Sequence, residues 1–389
     1  MLPRESHVMA AVAAVVLAAG TAAQSYRDLT LVRSLPTPYN EVLQLRAGLL
    51  GGLADDEVPA IGLENEFGWD GHVWYHQQGF TGQEASIDVY AGRDGAYASL
   101  VEGDLVASGS QSRLELGARY FPFYREGFYR NGDFVPTGQY EAEDFFVNLG
   151  LARQVEGGLT VEVAAFYRRN NFSRNDQTQA SFVIPEDYNA YGGRVTLEQA
   201  AISFDQNTNR PDQGFVVTLA AEREQNDAEG TFGTVGIFES SLPSGFWRGL
   251  GRAEFYAPQS GLGVWEVFVE GQWTDNTDRV FNADAQKPIG EVWVDGTVGF
   301  RFELGDALWL TPFGQGQYVR IRNETGTAVD SEFFWGGGAR AGFDLGSGFS
   351  ILGFYSYLTN QSRAPVSTSR DTFGEHRFFA GAELRFGGS

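Results

Sequence analysis

The chain has 389 residues, with 50 glycines, no cysteine, 14% aromatics and a net charge of −22 from 28 Lys+Arg against 50 Asp+Glu. Its field opposes any polyanion, so nucleic acid is not an expected partner; the lack of thiols removes disulfide scaffolds, thiolate metal sites and cysteine nucleophiles. A mean hydropathy of −0.25 does not fit a helical membrane protein, and the aromatic content is too high for a disordered chain.

Residues 1–23 read as a cleaved secretory signal. Arg4 and His7 precede an apolar run from Met9 to Ala19, and Gly20-Thr21-Ala22-Ala23 supplies small residues at the exit, which sets cleavage after Ala23. The run is too short to cross a bilayer as a helix. Residues 24–40, with Pro36 and Pro38, are the expected periplasmic tail or plug, and residues 41–389 the expected barrel.

Beyond that point hydrophobicity has a period of two. Leu114, Leu116, Ala118 and Tyr120 alternate with Arg113, Glu115 and Arg119; Leu159, Val161, Val163, Ala165 and Tyr167 alternate with Thr160, Glu162 and Arg168. The same sorting sets Phe215, Val217, Leu219 and Ala221 against Thr218, Glu222 and Glu224, and Trp265, Val267 and Val269 against Glu266, Glu270 and Gln272. It recurs over Val292 to Glu303 and Arg377 to Phe386. Each segment is a strand with one wet face. Turn-forming tracts separate them, among them Asn170-Asn171, Asn207 to Gln213, Asn226-Asp227, Gly346-Ser347-Gly348 and Ala364 to Asp371.

The pattern predicts an all-β chain of about sixteen strands, between roughly 14 and 18, each about ten residues long. Backbone groups in lipid must be paired within the protein, so strands enter a bilayer only as a closed antiparallel transmembrane β-barrel. Aromatics at strand ends, including Trp74-Tyr75, Tyr120, Phe166-Tyr167, Phe246-Trp247, Phe255-Tyr256, Trp273, Trp309, Phe333-Phe334-Trp335 and Tyr355, are the expected interfacial girdles.

The wet faces supply the candidate site. Arg113, Glu115, Arg119, Glu162, Arg168, Glu222, Glu266, Glu270, Arg301, Glu303, Arg377, Glu383 and Arg385 are expected to line the lumen, where both signs can pair across strands. This predicts a bacterial outer-membrane protein of pore or transport character, surrounded by lipid and lipopolysaccharide, with an acidic bias toward cations and neutral solutes.

Enzymatic chemistry finds little support. His72 and His76 lie about 13 Å apart along one strand face, too far to share a metal. No Gly-x-Ser-x-Gly elbow is present, and His376 with Ser356 is the one pairing worth testing for an acyl hydrolase. The acidic runs Asp55-Asp56-Glu57 and Glu141-Glu143-Asp144 read as solvated loops without calcium-loop spacing. Neither a metal nor a cofactor is expected.

Two motifs carry a resemblance. The strand ending in Gly381, Leu384 and Phe386 resembles the final-strand signal read by the bacterial barrel-assembly machinery, which implies that machinery as a partner during biogenesis. It differs in the appended Gly387-Gly388-Ser389. The segment with Asp205, Asn207, Asn209, Arg210, Pro211 and Gly214, leading into a strand with Glu222, is similar to the strand-turn-strand of the bacterial surface antigen family, the BamA/TamA-like barrels. Its Arg-Gly-aromatic loop motif is absent. The resemblance implies a barrel-only relative without POTRA domains, and an insertase-type or structural barrel as the alternative function.

Overall fold

Side chains alternating in polarity favour extended backbone, and the computed structural model arranges them as one ring of strands. It describes residues 27–28, 33–34 and 36–388, apart from 55–65, 81–84, 93–94, 104–111, 126–127, 131–132, 136–139, 176–177, 206–207, 235–237, 242, 276–291, 306, 323–327 and 359–374. The signal segment lies outside the described residues, as do Asp55-Asp56-Glu57 and Ala364 to Asp371.

The strands are β1 (Glu41–Ala54), β2 (Glu66–Gln78), β3 (Ser86–Gly92), β4 (Gly95–Glu102), β5 (Ser112–Arg125), β6 (Tyr140–Gln154), β7 (Leu159–Ser173) and β8 (Tyr188–Phe204). They continue as β9 (Pro211–Asn226), β10 (Gly245–Gln259), β11 (Gly263–Thr274), β12 (Val292–Leu304), β13 (Leu308–Arg322), β14 (Ala328–Gly346), β15 (Phe349–Leu358) and β16 (Glu375–Gly388). Each pairs antiparallel with its chain neighbours, giving a closed 16-stranded barrel. The seam between β16 and β1 runs through 14 residue pairs, from Glu375↔Ala54 to Gly388↔Glu41. Closure leaves no sheet edge over that length.

Both ends of the described barrel lie at one pole, the termini end, where most connections are short. Gly346, Ser347 and Gly348 all have positive φ and make the tight β14–β15 turn expected there. Longer connections lie at the opposite, far end. There Phe182–Val183, Phe232–Thr234 and Phe238–Ser240 form a small sheet, and Phe182 and Phe232 pack on Tyr140, Phe172 and Tyr188 of β6, β7 and β8. Strands β3 and β4 are short, and β2 meets β3 only from His72 to Gln78, so the wall steps down there at the far end.

The period of two sets the two surfaces apart. Along β6, Ala142, Asp144, Phe146, Asn148 and Ala152 are buried, while Phe145, Leu149 and Leu151 are exposed. Outside, Leu116, Leu149, Val163, Val195, Leu197, Leu219, Val269, Val298 and Ile351 form an aliphatic belt. Phe67, Trp69, Tyr120, Tyr167, Tyr191, Trp247, Trp273, Trp335 and Tyr355 flank it at the far end, and Phe255, Trp265, Phe302, Phe343, Phe349 and Phe386 flank it at the termini end. Trp69 is 71% exposed. Such a surface is inverted relative to a water-soluble protein and matches hydrocarbon between two headgroup layers.

Three sequence expectations are corrected. Adjacent aromatics do not share a girdle, because strand alternation turns one of each pair inward: Trp74, Phe166, Phe246 and Phe334 are buried within the barrel, and Trp309 packs under Arg210. Asn170-Asn171 is no turn but part of β7, with Asn170 buried. Glu141, Glu143 and Asp144 lie in β6 rather than a solvated loop, and Asp144 is fully buried.

Candidate functional site in the barrel lumen

Inward residues of β5 to β10 meet at one aromatic ring. Phe146 lies beneath the guanidiniums of Arg119, Arg168 and Arg194, whose central carbons sit 4.8, 5.3 and 5.1 Å from the ring centroid. Arg119 donates to Asp144 at 2.6 Å, and Arg168 lies 3.4 Å from the same carboxylate. Arg168 also reaches across β8 to Glu224 on β9, while Glu222 accepts from Arg194 on β8 and from Arg248 on β10, the latter at 3.0 Å. Arg119 and Arg168 are each 1% exposed and Glu222 2%. Charges removed from water this far are tolerable only when paired, and here Asp144 and Glu222 each serve two guanidiniums.

A second buried carboxylate lies beside this cluster. Asp88 on β3 accepts from Trp74 Nε1 at 3.0 Å and from the Tyr97 hydroxyl, and His76 Nδ1 lies 3.2 Å away. Trp74, Tyr90 and Tyr97 continue inward to Phe146 and Phe166. Sequence reasoning missed this group. Its signal was the acid at Asp88 two residues from Tyr90, on a strand too short to show a clear period.

The third group closes the termini end. Asp205 Oδ1 accepts from the Thr208 amide at 2.8 Å, and the Asn209 amide donates to the Asp205 carbonyl at 2.8 Å, which folds the β8–β9 turn. Asn209 takes a φ of 54°, and Arg210 is carried into the lumen. There it pairs with Asp344 on β14 and lies 4.9 Å from the Trp309 ring centroid. Burial lowers the Arg210 pKa, and Asp344 opposes that shift. Arg301 donates to the Pro211 carbonyl at 2.6 Å and to Glu266 at 2.6 Å, and Arg340 reaches Glu266 at 3.3 Å. Arg385 pairs with Glu383 and donates to the Tyr39 hydroxyl at 2.6 Å; Gln44 donates to Glu383 at 2.6 Å. Burial raises the Tyr39 pKa, against the pull of Arg385. A cavity of about 80 Å³ lies among these side chains.

The remaining expected residues fall on the same inner face. Arg113 pairs with Glu115 at 2.6 Å, Glu162 and Arg377 are buried, Glu270 sits opposite Arg252 in register, and Glu303 touches Arg301 at 3.3 Å from a more exposed position. In the turn motif, Gly214 has φ +110°, and a Cβ there would lie 1.8 Å from the Ala201 carbonyl oxygen. Asn207 lies outside the described residues. In the final strand Phe386 is exposed on the outer face, Gly381 lies against Ala47, and β16 continues through Gly388.

No protein-family model and no curated protein matches the sequence. Among solved structures, BamA from Haemophilus ducreyi lacking POTRA domains 1–3 matches over 90% of this chain and 71% of its own, with a TM-score of 0.51 and 9% identity. CdiB from Acinetobacter baumannii matches over 91% of this chain, with a TM-score of 0.51 and 10% identity. This chain spans 61% of the CdiB chain. What is shared is the barrel fold. The likeness agrees with the architecture that the surface-antigen resemblance implies, and no family model assigns the chain to that family.

The hydrolase pairing does not assemble. His376 accompanies Tyr355 on the outer face, with Nδ1 2.8 Å from the Tyr355 hydroxyl, whereas Ser356 is buried on the inner face. One side of the wall separates base from hydroxyl. His72 Nε2 lies 3.3 Å from Gln44 Nε2, and His76 is committed to Asp88. Among the described residues no group of three His, Asp or Glu side chains is placed to hold a metal ion.

Proposed function

We propose that the protein is an outer-membrane β-barrel of pore or transport character, a passive or gated pore whose lumen is lined by ion pairs. The observation that carries this reading is the inversion of the barrel: charged pairs such as Arg194–Glu222 are buried inside, while Leu219, on the strand that bears Glu222, is 52% exposed outside. Apolar surface of that extent favours lipid, and a polar interior favours the passage of hydrated solutes. The expected secretory signal and the short turns at the termini end support an orientation with that end in the periplasm. Lipid and lipopolysaccharide then surround the belt, and the barrel-assembly machinery reads Gly381, Leu384 and Phe386 during insertion.

Charge selectivity follows from position. The inner arginines neutralise most inner carboxylates, so the surplus acid of the −22 chain acts from outside the paired clusters and favours cations and neutral solutes. An insertase-type barrel is the second reading, supported by the shared fold with BamA. The zipped β16–β1 seam favours a pore, because lateral release there must break 14 residue pairs.

Planar-bilayer recording of the purified, heat-modifiable barrel tests the first reading: discrete cation-preferring conductance is expected, and no conductance, or strong anion preference, overturns it. A disulfide between L49C and A380C, which face each other in register, separates the two readings. Conductance that survives the crosslink fits a pore, and loss of client insertion on crosslinking fits the second reading.

A further inference from the structure

The lumen has a packed side and a wet side. Across the middle of β6, β7 and β9 every inner residue is buried, among them Asn148, Glu162 and Thr218. On β10 to β15 the pattern changes. Phe268, Glu270 and Gln272 on β11, Asp295 and Thr297 on β12, and Gln315 on β13 are partly exposed on the inner face, as are the mid-strand inner positions of β10, β14 and β15. Burial returns at both ends of this strip, at Trp293 and Phe334 toward the far end and at Arg301 and Thr311 toward the termini end. Among the described residues the strip is therefore where the lumen keeps room for water, and Arg340, Leu352 and Phe354 join it to the termini-end cavity.

Its charge differs from that of the packed side. Arg252, Glu270 and Asp295 stand in register across β10, β11 and β12, and Arg252 holds Glu254 at 2.5 Å. One guanidinium thus stands among three carboxylates, and whatever pairs form between them, the sum over this stretch is negative. Arg252 also stacks on Phe268, 5.1 Å from the ring centroid, while Asp295 accepts from the neutral Gln315 amide at 3.3 Å. Two acids directly opposed on adjacent strands cost stability, and a cation beside them lowers that cost. On the packed side Asp144 and Glu222 are each shared by two guanidiniums instead.

From this arrangement we infer that ions cross the lumen along the β10–β15 wall, and that Glu270 and Asp295 are the residues that select small hydrated cations over anions. The inference rests on the pore reading and gives it a location. The arginine clusters around Phe146 are packing, and the wet strip is the path. Glu270 and Asp295 act through their field, because a partly exposed acid pair with water around it attracts a cation that keeps its own hydration.

The chain has no cysteine, so single cysteines report without background. Thr297→Cys, on the strip, and Thr218→Cys, at a position 1% exposed on β9, are made in the folded barrel and treated with a cationic and an anionic methanethiosulfonate of similar size. Thr297→Cys is expected to react roughly tenfold faster or more than Thr218→Cys. Its cation-to-anion rate ratio, normalised to a free thiol, should fall roughly fivefold when Asp295→Asn is added. In planar bilayers Glu270→Gln and Asp295→Asn each lower the cation preference, and Glu143→Gln, on the outer face, leaves it unchanged. If Glu270→Gln loses heat-modifiable migration, Asp295→Asn carries both readouts. Equal labelling of the two cysteines overturns the sided path, and a cation preference indifferent to both acid substitutions overturns the assignment of its sign. Absence of conductance with fast labelling at Thr297→Cys overturns the pore reading alone, and the rate ratio then decides the role of the acids.

Discussion

Replacing Glu222 by glutamine removes one negative charge from between two guanidiniums and leaves the side-chain volume almost unchanged. Arg194 and Arg248 each lose a carboxylate partner, and Arg168 loses part of the surrounding field. Breaking a buried pair by deleting one member costs about 3–5 kcal/mol, because the remaining charge stays out of water. That is roughly two to four decades in the folding equilibrium. Urea unfolding in lipid vesicles, followed by tryptophan fluorescence and by the gel shift of unheated samples, reads the change. Glu303→Gln is the control: this carboxylate, 36% exposed, also touches an arginine, and its loss should cost less than about 1 kcal/mol. Combining Glu222→Gln with Arg194→Gln should give a coupling energy of about 0.5–3 kcal/mol. Equal effects of the two single substitutions would show the lumen to be wet at Glu222 and refute the account of a closed, ion-paired interior.

Three further outcomes follow from other parts of the barrel. Gly214→Ala places a Cβ 1.8 Å from the Ala201 carbonyl oxygen at φ +110°, so it should destabilise by about 1–3 kcal/mol in the same urea assay, whereas Gly353→Ala, with nothing near, should be close to neutral. Leu219→Arg sets a charge near the middle of the outer belt and should cost about 2–4 kcal/mol in vesicles; a cost below about 0.5 kcal/mol would argue against hydrocarbon at that position. Asp227, in the β9–β10 connection, accepts from the Asn189 side chain and amide, which lowers its pKa below the ordinary aspartate value. A folded pKa below the unfolded one adds stability above the unfolded value and loses it as pH falls through the folded one, so carboxyl NMR should place the Asp227 titration under that of a free aspartate, and Asn189→Ala should raise it.

Much of the wall was legible in the sequence because a strand writes its two environments into alternate positions. The faces read for Leu159 to Arg168 and for Phe215 to Glu224 are those the barrel adopts. Aromatic pairs were harder. Composition cannot tell an interfacial Trp247 from a lumenal Phe246, and only the phase of the strand decides which faces lipid. The site was less legible still, because its pairs join residues far apart in sequence. Arg210 and Asp344 are 134 positions apart, and Arg385 and Tyr39 are 346 apart; strand tilt and ring closure, not local pattern, bring them together. Glycine hid the rest. Gly48 and Gly381 have no side chain to pattern, yet their bareness lets the Phe379 ring lie across the seam, where a Cβ on either would approach it within 2.4 Å.

The choice of cation inside the barrel has its own consequence. Of the 28 basic residues, Lys287 is the one lysine and 27 are arginine. A lysine ammonium is a compact, strongly hydrated charge, whereas guanidinium is flat, weakly hydrated and able to stack and to bond in its plane at once. Arg168 on Phe166, Arg248 on Phe246 and Arg340 on Phe313 each use both capacities. Among the described residues the lumen is therefore lined by arginine and aromatic layers, with carboxylates as the links between layers. Guanidinium does not lose its proton at any physiological pH, so the cationic half of these contacts cannot be titrated away. Opening then requires movement of an element that carries one of these contacts, such as the β8–β9 turn that brings Arg210 to Asp344.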